Sequence, residues 1–175
     1  KEISFSENLE EYMNKFKAEV GKTYADTDHP LLVKIVVSSN MAIAQYPLLH
    51  NIGLARDTVD GFANKVGAEF TSREVLFLML GALKIEKMIA EKEGKIDRYN
   101  TINENVQKLE EIFQNDPCKF TPIEIIRQYE NFLPDGFFES AIRQLEVIIA
   151  RVSHLIQIDE QIENDTSILI QPMVY

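Results

Sequence analysis

The sequence predicts an all-α domain: six to seven helices around a central apolar helix at about 72–93, with a long C-terminal helix at about 136–162. Three observations carry this. From Val75 to Leu83 no polar side chain interrupts the chain, and Ile85, Met88 and Ile89 prolong the run. A helix that is apolar around its circumference must be covered on every side, and this run is too short for a bilayer, which needs about 20 residues. The segments on either side repeat apolar residues at three- and four-residue steps, the pattern of one-faced helices. Finally, Phe70-Thr71-Ser72-Arg73-Glu74-Val75 and Phe120-Thr121-Pro122-Ile123-Glu124-Ile125 both spell a capping box with a hydrophobic staple.

In chain order, Ser6 can cap a first helix striped by Leu9, Tyr12, Met13, Phe16 and Val20. Gly21 to His29 reads as a loop. Its Asp26-Thr27-Asp28 lacks the glycine and terminal glutamate that would complete a calcium loop, so turn chemistry is the reading. Pro30 suits the first position of a second helix. The run Leu31 to Val37 could also be a buried strand. Helix is favoured because Lys34, Ser38 and Gln45 fall at helical spacing and apolar character continues to Tyr46. Leu49, Ile52, Ala55, Val59, Phe62, Val66 and Phe70 extend a third helix, weakened by Gly53, Gly61 and Gly67, which permit close approach or a bend. The central helix starts at the Thr71 box and stops at Gly94.

Ile96, Tyr99, Ile102, Val106, Leu109, Ile112 and Phe113 mark an outer helix with a thin apolar seam. A shorter helix follows from Pro122 to about Phe132, and then the turn Leu133-Pro134-Asp135-Gly136. The last helix carries a broad row, Phe138, Ile142, Leu145, Ile149, Val152 and Ile156, wide enough to need two covering elements or a second copy of the chain. The apolar end, Ile168 to Tyr175, folds back as an extended segment, beside residues 31–37 if those are a strand after all.

With 175 residues and a hydrophobic fraction of 45%, the chain reads as a single all-α domain over 1–175. It opens on Lys1 rather than Met, which fits a processed protein or a piece of a longer chain. The net charge of −10, with no basic cluster, opposes binding to a phosphate backbone, so nucleic acid is not expected as a partner. No segment is long enough for a membrane span. Cys118 is the one cysteine, so no internal disulfide forms, and a cytoplasmic location is expected. Asn164-Asp165-Thr166 fits the glycosylation triplet, a pattern short enough to arise by accident.

Signatures of chemistry are sparse. None of His29, His50 and His154 follows a glutamate by three residues, and no His-Glu-x-x-His zinc motif occurs. Cys118 has no neighbouring base, and no glycine-rich phosphate loop is present. We therefore expect no catalytic residue, cofactor or metal. The expected function is a non-enzymatic regulatory or adaptor domain acting through protein–protein contacts, homodimeric through the row Phe138–Ile156. The alternative is a sensor domain, globin-like or a helical bundle, that holds a small apolar ligand beside Phe77, Met79 and Met88.

Overall fold

The computed structural model describes residues 5–38, 46–159 and 166–175. Element order is α1 (Phe5–Val20), β1 (Val33–Ser38), β2 (Leu49–Ile52), α2 (Val59–Val66), α3 (Ala68–Lys92), α4 (Ile96–Asn115), α5 (Pro122–Tyr129), a 3₁₀ turn (Glu130–Phe132), α6 (Ala141–Ile158) and β3 (Ser167–Pro172). The all-α expectation is thus corrected: the described residues combine six α-helices with a three-stranded antiparallel sheet, an α+β fold.

The sheet runs in the order β2-β1-β3. Residues 33–38, expected as part of the second helix, are strand β1, and one of its two partners comes from the far end of the chain. Val33 lies opposite Pro172, Ile35 opposite Ile170 and Val37 opposite Ile168. Gln45, which supported the helix, lies outside the described residues. Only one strand edge is local. On β2, Ile52 pairs with Val33 and Leu49 with Ile35, so that His50 and Asn51 together lie across from the single residue Lys34. That is a bulge, and Asn51 sits in it at φ +65°. The third helix over 49–70 is therefore replaced by β2, a turn and the short α2.

Helix α3 is the centre of the fold and packs against α2, α4, α5, α6 and β2. Val75, Leu76, Leu78, Met79, Leu83, Ile85 and Ile89 are all buried on it, each contributing about 1.5–3 kcal/mol by leaving water. Its start differs from the capping-box expectation. The helix begins at Ala68, after Gly67 at φ +96°, and the Thr71 hydroxyl donates to the Gly67 carbonyl at 2.8 Å inside the first turn. Gly94, at φ +70°, follows its last turn.

The second capping box forms as spelled. Thr121 Oγ1 accepts from the Glu124 amide at 3.3 Å, and the Glu124 carboxylate accepts from the Thr121 amide at 2.8 Å. Helix α6 starts later than expected, at Ala141, with Ser140 accepting from the Arg143 amide. It runs to Ile158, and the expected end near 162 falls outside the described residues, as do Asn164 and Asp165. Two of the three glycines in the disputed stretch have positive φ, Gly53 at +115° and Gly67 at +96°. Gly61 serves contact instead: a Cβ there would lie 1.8 Å from the Thr27 carbonyl oxygen.

Candidate functional site

One acid on the central helix is buried. Glu86 is only 2% exposed. Its two carboxylate oxygens accept from Arg151 Nε (2.7 Å) and Nη2 (2.8 Å) on α6, and Oε2 also accepts from Arg98 Nη2 (3.2 Å) on α4. One carboxylate thus ties three helices. A buried carboxylate demands such pairing, since leaving it alone in a dry interior would cost several kcal/mol. Arg151 in turn is held firmly in its charged form, first by that hydrogen bond to Glu86.

The ionic seam continues down the α3–α6 junction. Glu93 receives Lys95 and His154, the latter at 2.8 Å from Nε2. The Lys95 bond first, then the His154 bond, pulls its carboxyl down to about 2. Beyond it, Lys92 Nζ lies 3.3 Å from Asp159 Oδ1, and Tyr46 Oη donates to Asp159 Oδ2 at 2.7 Å. Burial first, and then the Asp159 bond, raises the Tyr46 hydroxyl far above its ordinary range. Chemically this seam offers fixed charge and hydrogen-bond donors.

A second polar knot closes the β2 bulge. The buried Asn51 amide donates to Glu74 Oε2 (2.6 Å) and to the Glu74 carbonyl (3.2 Å), and the Tyr175 hydroxyl donates to Asn51 Oδ1. The Tyr175 ring stands edge-on to Phe62 and Phe70 at 5.4 and 6.0 Å. Glu74, expected to cap α3, is instead spent on this knot. A third fixture is Gln144, fully buried, whose Oε1 accepts from the Gly53 amide (2.8 Å) while Nε2 donates to the Leu54 carbonyl (2.9 Å). It fastens the turn after β2 to α6. The buried Tyr24 donates to the Ala141 carbonyl at 2.6 Å, and burial drives its pKa upward.

The expected interface row does not form one surface. Phe138, Leu145, Ile149 and Val152 are buried in this chain's own core, Ile156 is half-buried, and Ile142 alone is well exposed, at 57%. Ile142 and Leu145 instead line a groove of about 430 Å³ against Leu9, Met13 and Tyr24. Of the expected apolar pocket, Met79 is fully buried and Met88 half-buried. Phe77 alone borders an open cleft of about 270 Å³, with Leu48, Lys84, Glu110 and Phe113. Phe77 also stacks between Phe113 (5.8 Å) and His50 (5.4 Å). Desolvation, reinforced by Lys34, lowers the His50 pKa against the opposing pull of Glu74.

The remaining candidates are placed simply. Asp26 accepts from the amides of Asp28 and His29, the work of a turn residue. Cys118 is exposed, its sulfur 3.7 Å from the Glu69 carbonyl oxygen. Among the described residues no group of His, Cys, Asp or Glu is arranged to hold a metal ion, and no helix is long and apolar enough to cross a membrane.

Sequence reasoning missed Glu86, Arg151, Asn51, Gln144 and Tyr175. A signal existed for the first two: Glu86 interrupts the apolar face Leu83–Ile85–Ile89, and Arg151 stands inside the row Ile148–Val152. A charge embedded in a face that must be buried implies a partner. Gln144 and Asn51 had no local signal, because their partners lie 23 to 124 residues away.

No family model matches the chain. Pyruvate, phosphate dikinase of Treponema pallidum (strain Nichols) is 41% identical to it over 167 residues, covering 95% of this chain and 18% of that protein. The chain therefore spans less than a fifth of the length of the curated relative it matches. This overturns the expectation of a non-enzymatic regulatory or adaptor domain, and with it the sensor reading. Nearly the whole chain is similar to a portion of an enzyme. The helical-bundle description falls separately, on the sheet.

Proposed function

We propose that this chain is a segment of a phosphoryl-transfer enzyme of the pyruvate, phosphate dikinase type, working in the cytoplasm. The observation that carries the reading is the similarity itself, 41% identity sustained over 95% of the chain. At that level of identity a shared fold is expected.

The physical character of the segment supports a supporting role within such an enzyme. Its polar groups are spent on each other: Glu86 on two arginines, Gln144 on the turn after β2, and Asn51 on Glu74 and Tyr175. These fixtures hold the sheet, α3 and α6 in one arrangement, as a scaffold must if it is to present groups to a reaction centre without sagging. The chain's net charge of −10 is unsuited to gathering anionic substrates by long-range attraction. Substrate capture is accordingly assigned to other parts of the enzyme.

A segment exchange tests the reading. The aligned stretch of the Treponema enzyme is replaced by this chain, and phosphoryl transfer dependent on pyruvate and phosphate is followed. Activity within tenfold of the parent is the expected result. A folded chimera with no transfer would refute the assignment.

A further inference from the structure

We propose that the outer edge of β3 accepts a further β-strand from the part of the enzyme chain lying outside these 175 residues; the proposal rests on the dikinase reading. Strand β3 stands at one end of the order β2-β1-β3, and among the described residues only β1 pairs with it. A strand of six residues therefore presents a row of peptide groups on its other side, and natural proteins rarely leave such a row unguarded.

The usual guards are missing here. From Ser167 to Gln171 the strand reads Ser-Ile-Leu-Ile-Gln, with no charge and no proline until Pro172. The opposite edge of the sheet is treated differently: β2 has only four residues, is broken by the Asn51 bulge, and is mostly buried against α3. Among the described residues, β3 is the edge that carries none of these features.

Burial says the same from the side chains. On the core face, Val33 and Ile35 of β1 are 0 and 3% exposed. Ile168 and Ile170, on the same face one strand further out, are only half-buried. The apolar layer thins towards β3, where more cover is needed. A strand of about five residues, apolar at alternate positions, would continue the row Ile35–Ile170 and cover it, because side chains directly across a strand pair touch. A source for it is at hand. The match leaves more than four-fifths of the Treponema enzyme's length outside the region that resembles this chain.

Hydrogen exchange read residue by residue by mass spectrometry tests the pairing in the full-length enzyme. An antiparallel partner on one side protects only alternate amides. The expected result is slow exchange at every amide from Ser167 to Gln171, at least tenfold slower than in an edge strand for those facing away from β1. Fast exchange at alternate positions would overturn the proposal. The same measurement on the 175-residue chain, with α3 amides as the folding control, should show that alternating pattern; uniform protection there would also overturn it, since the chain would then be covering its own edge. Pyruvate- and phosphate-dependent transfer, assayed on the same full-length sample, separates the two ideas. Uniform protection without transfer refutes the dikinase reading and keeps the strand, whereas transfer with alternating protection does the reverse.

Discussion

Glu86 of the central helix and Arg151 of the last helix form a bidentate ion pair, at 2.7 and 2.8 Å, with the carboxylate almost wholly out of water. The pair lies where α3, α4 and α6 converge, so its removal is felt by all three. Arg151→Ala leaves Glu86 with the more exposed Arg98 as its partner. Breaking a buried pair from one side typically costs about 3–5 kcal/mol. We expect about 3 kcal/mol by urea titration, because Arg98 remains. In a double-mutant cycle, Glu86→Gln with Arg151→Ala should cost less than the sum of the single changes.

Gly61 tests the packing of α2. On helix propensity alone Gly61→Ala would stabilise by about 1 kcal/mol. The structure reverses the sign, because the added Cβ would sit 1.8 Å from the Thr27 carbonyl oxygen, a backbone atom with little freedom to retreat. Destabilisation of about 1–3 kcal/mol is expected, as for an overpacked core. A rise in thermal midpoint would show that the loop does not lie over α2.

Asn51 combines a left-handed backbone with a buried amide that serves Glu74 and Tyr175. Asn51→Gly keeps the backbone and loses the bonds; Asn51→Ala loses both. Backbone strain of this kind costs about 1–3 kcal/mol, so alanine is expected to be the more destabilising of the two. Equal unfolding midpoints would mean that the bulge is not held at positive φ.

Acid titration addresses the lower end of the seam. The Glu93 carboxyl is held at about 2, below its ordinary value of 4.5, by Lys95 and then His154. A carboxylate with a lowered folded pKa binds fewer protons folded than unfolded, so its contribution is full above about 4.5 and is lost as pH falls towards 2. Glu93→Gln should therefore flatten the stability profile between pH 4.5 and 2. An unaltered acid limb would contradict the Lys95–Glu93–His154 geometry.

What was legible in the sequence was what is written locally. The Thr121–Glu124 box, the thin seam of α4 and the stop at Gly94 each depend on residues a few positions apart, and each forms. The strands failed for a physical reason. The bulge in β2 puts Leu49 and Ile52 on the same side at a spacing of three, which imitates a helical step. β1 is an apolar run whose period is ambiguous until its partner is known, and that partner, β3, is more than a hundred residues away. The Thr71 box had the right letters. Tertiary demand won, with Glu74 drawn to Asn51 and the helix extended back to Ala68.

The broad row on α6 calls for wide cover, and periodicity leaves open where that cover comes from. The cover comes from the same chain, which buries Phe138, Leu145, Ile149 and Val152. No periodicity can distinguish an internal partner from an external one, because both satisfy the same apolar face. The enzyme connection was invisible for a related reason. The groups that fix this fold are Glu86, Arg151, Gln144 and Asn51, spent on internal bonds and dispersed along the chain, and they spell no motif.

The most direct test of the central claim is phosphoryl transfer by the complete protein that contains this chain. Donor consumption is measured with pyruvate and phosphate together, and with each omitted in turn. Consumption that requires both acceptors is the result expected of a dikinase of this type. A complete, folded protein that consumes no donor, or does so without regard to pyruvate and phosphate, would contradict it.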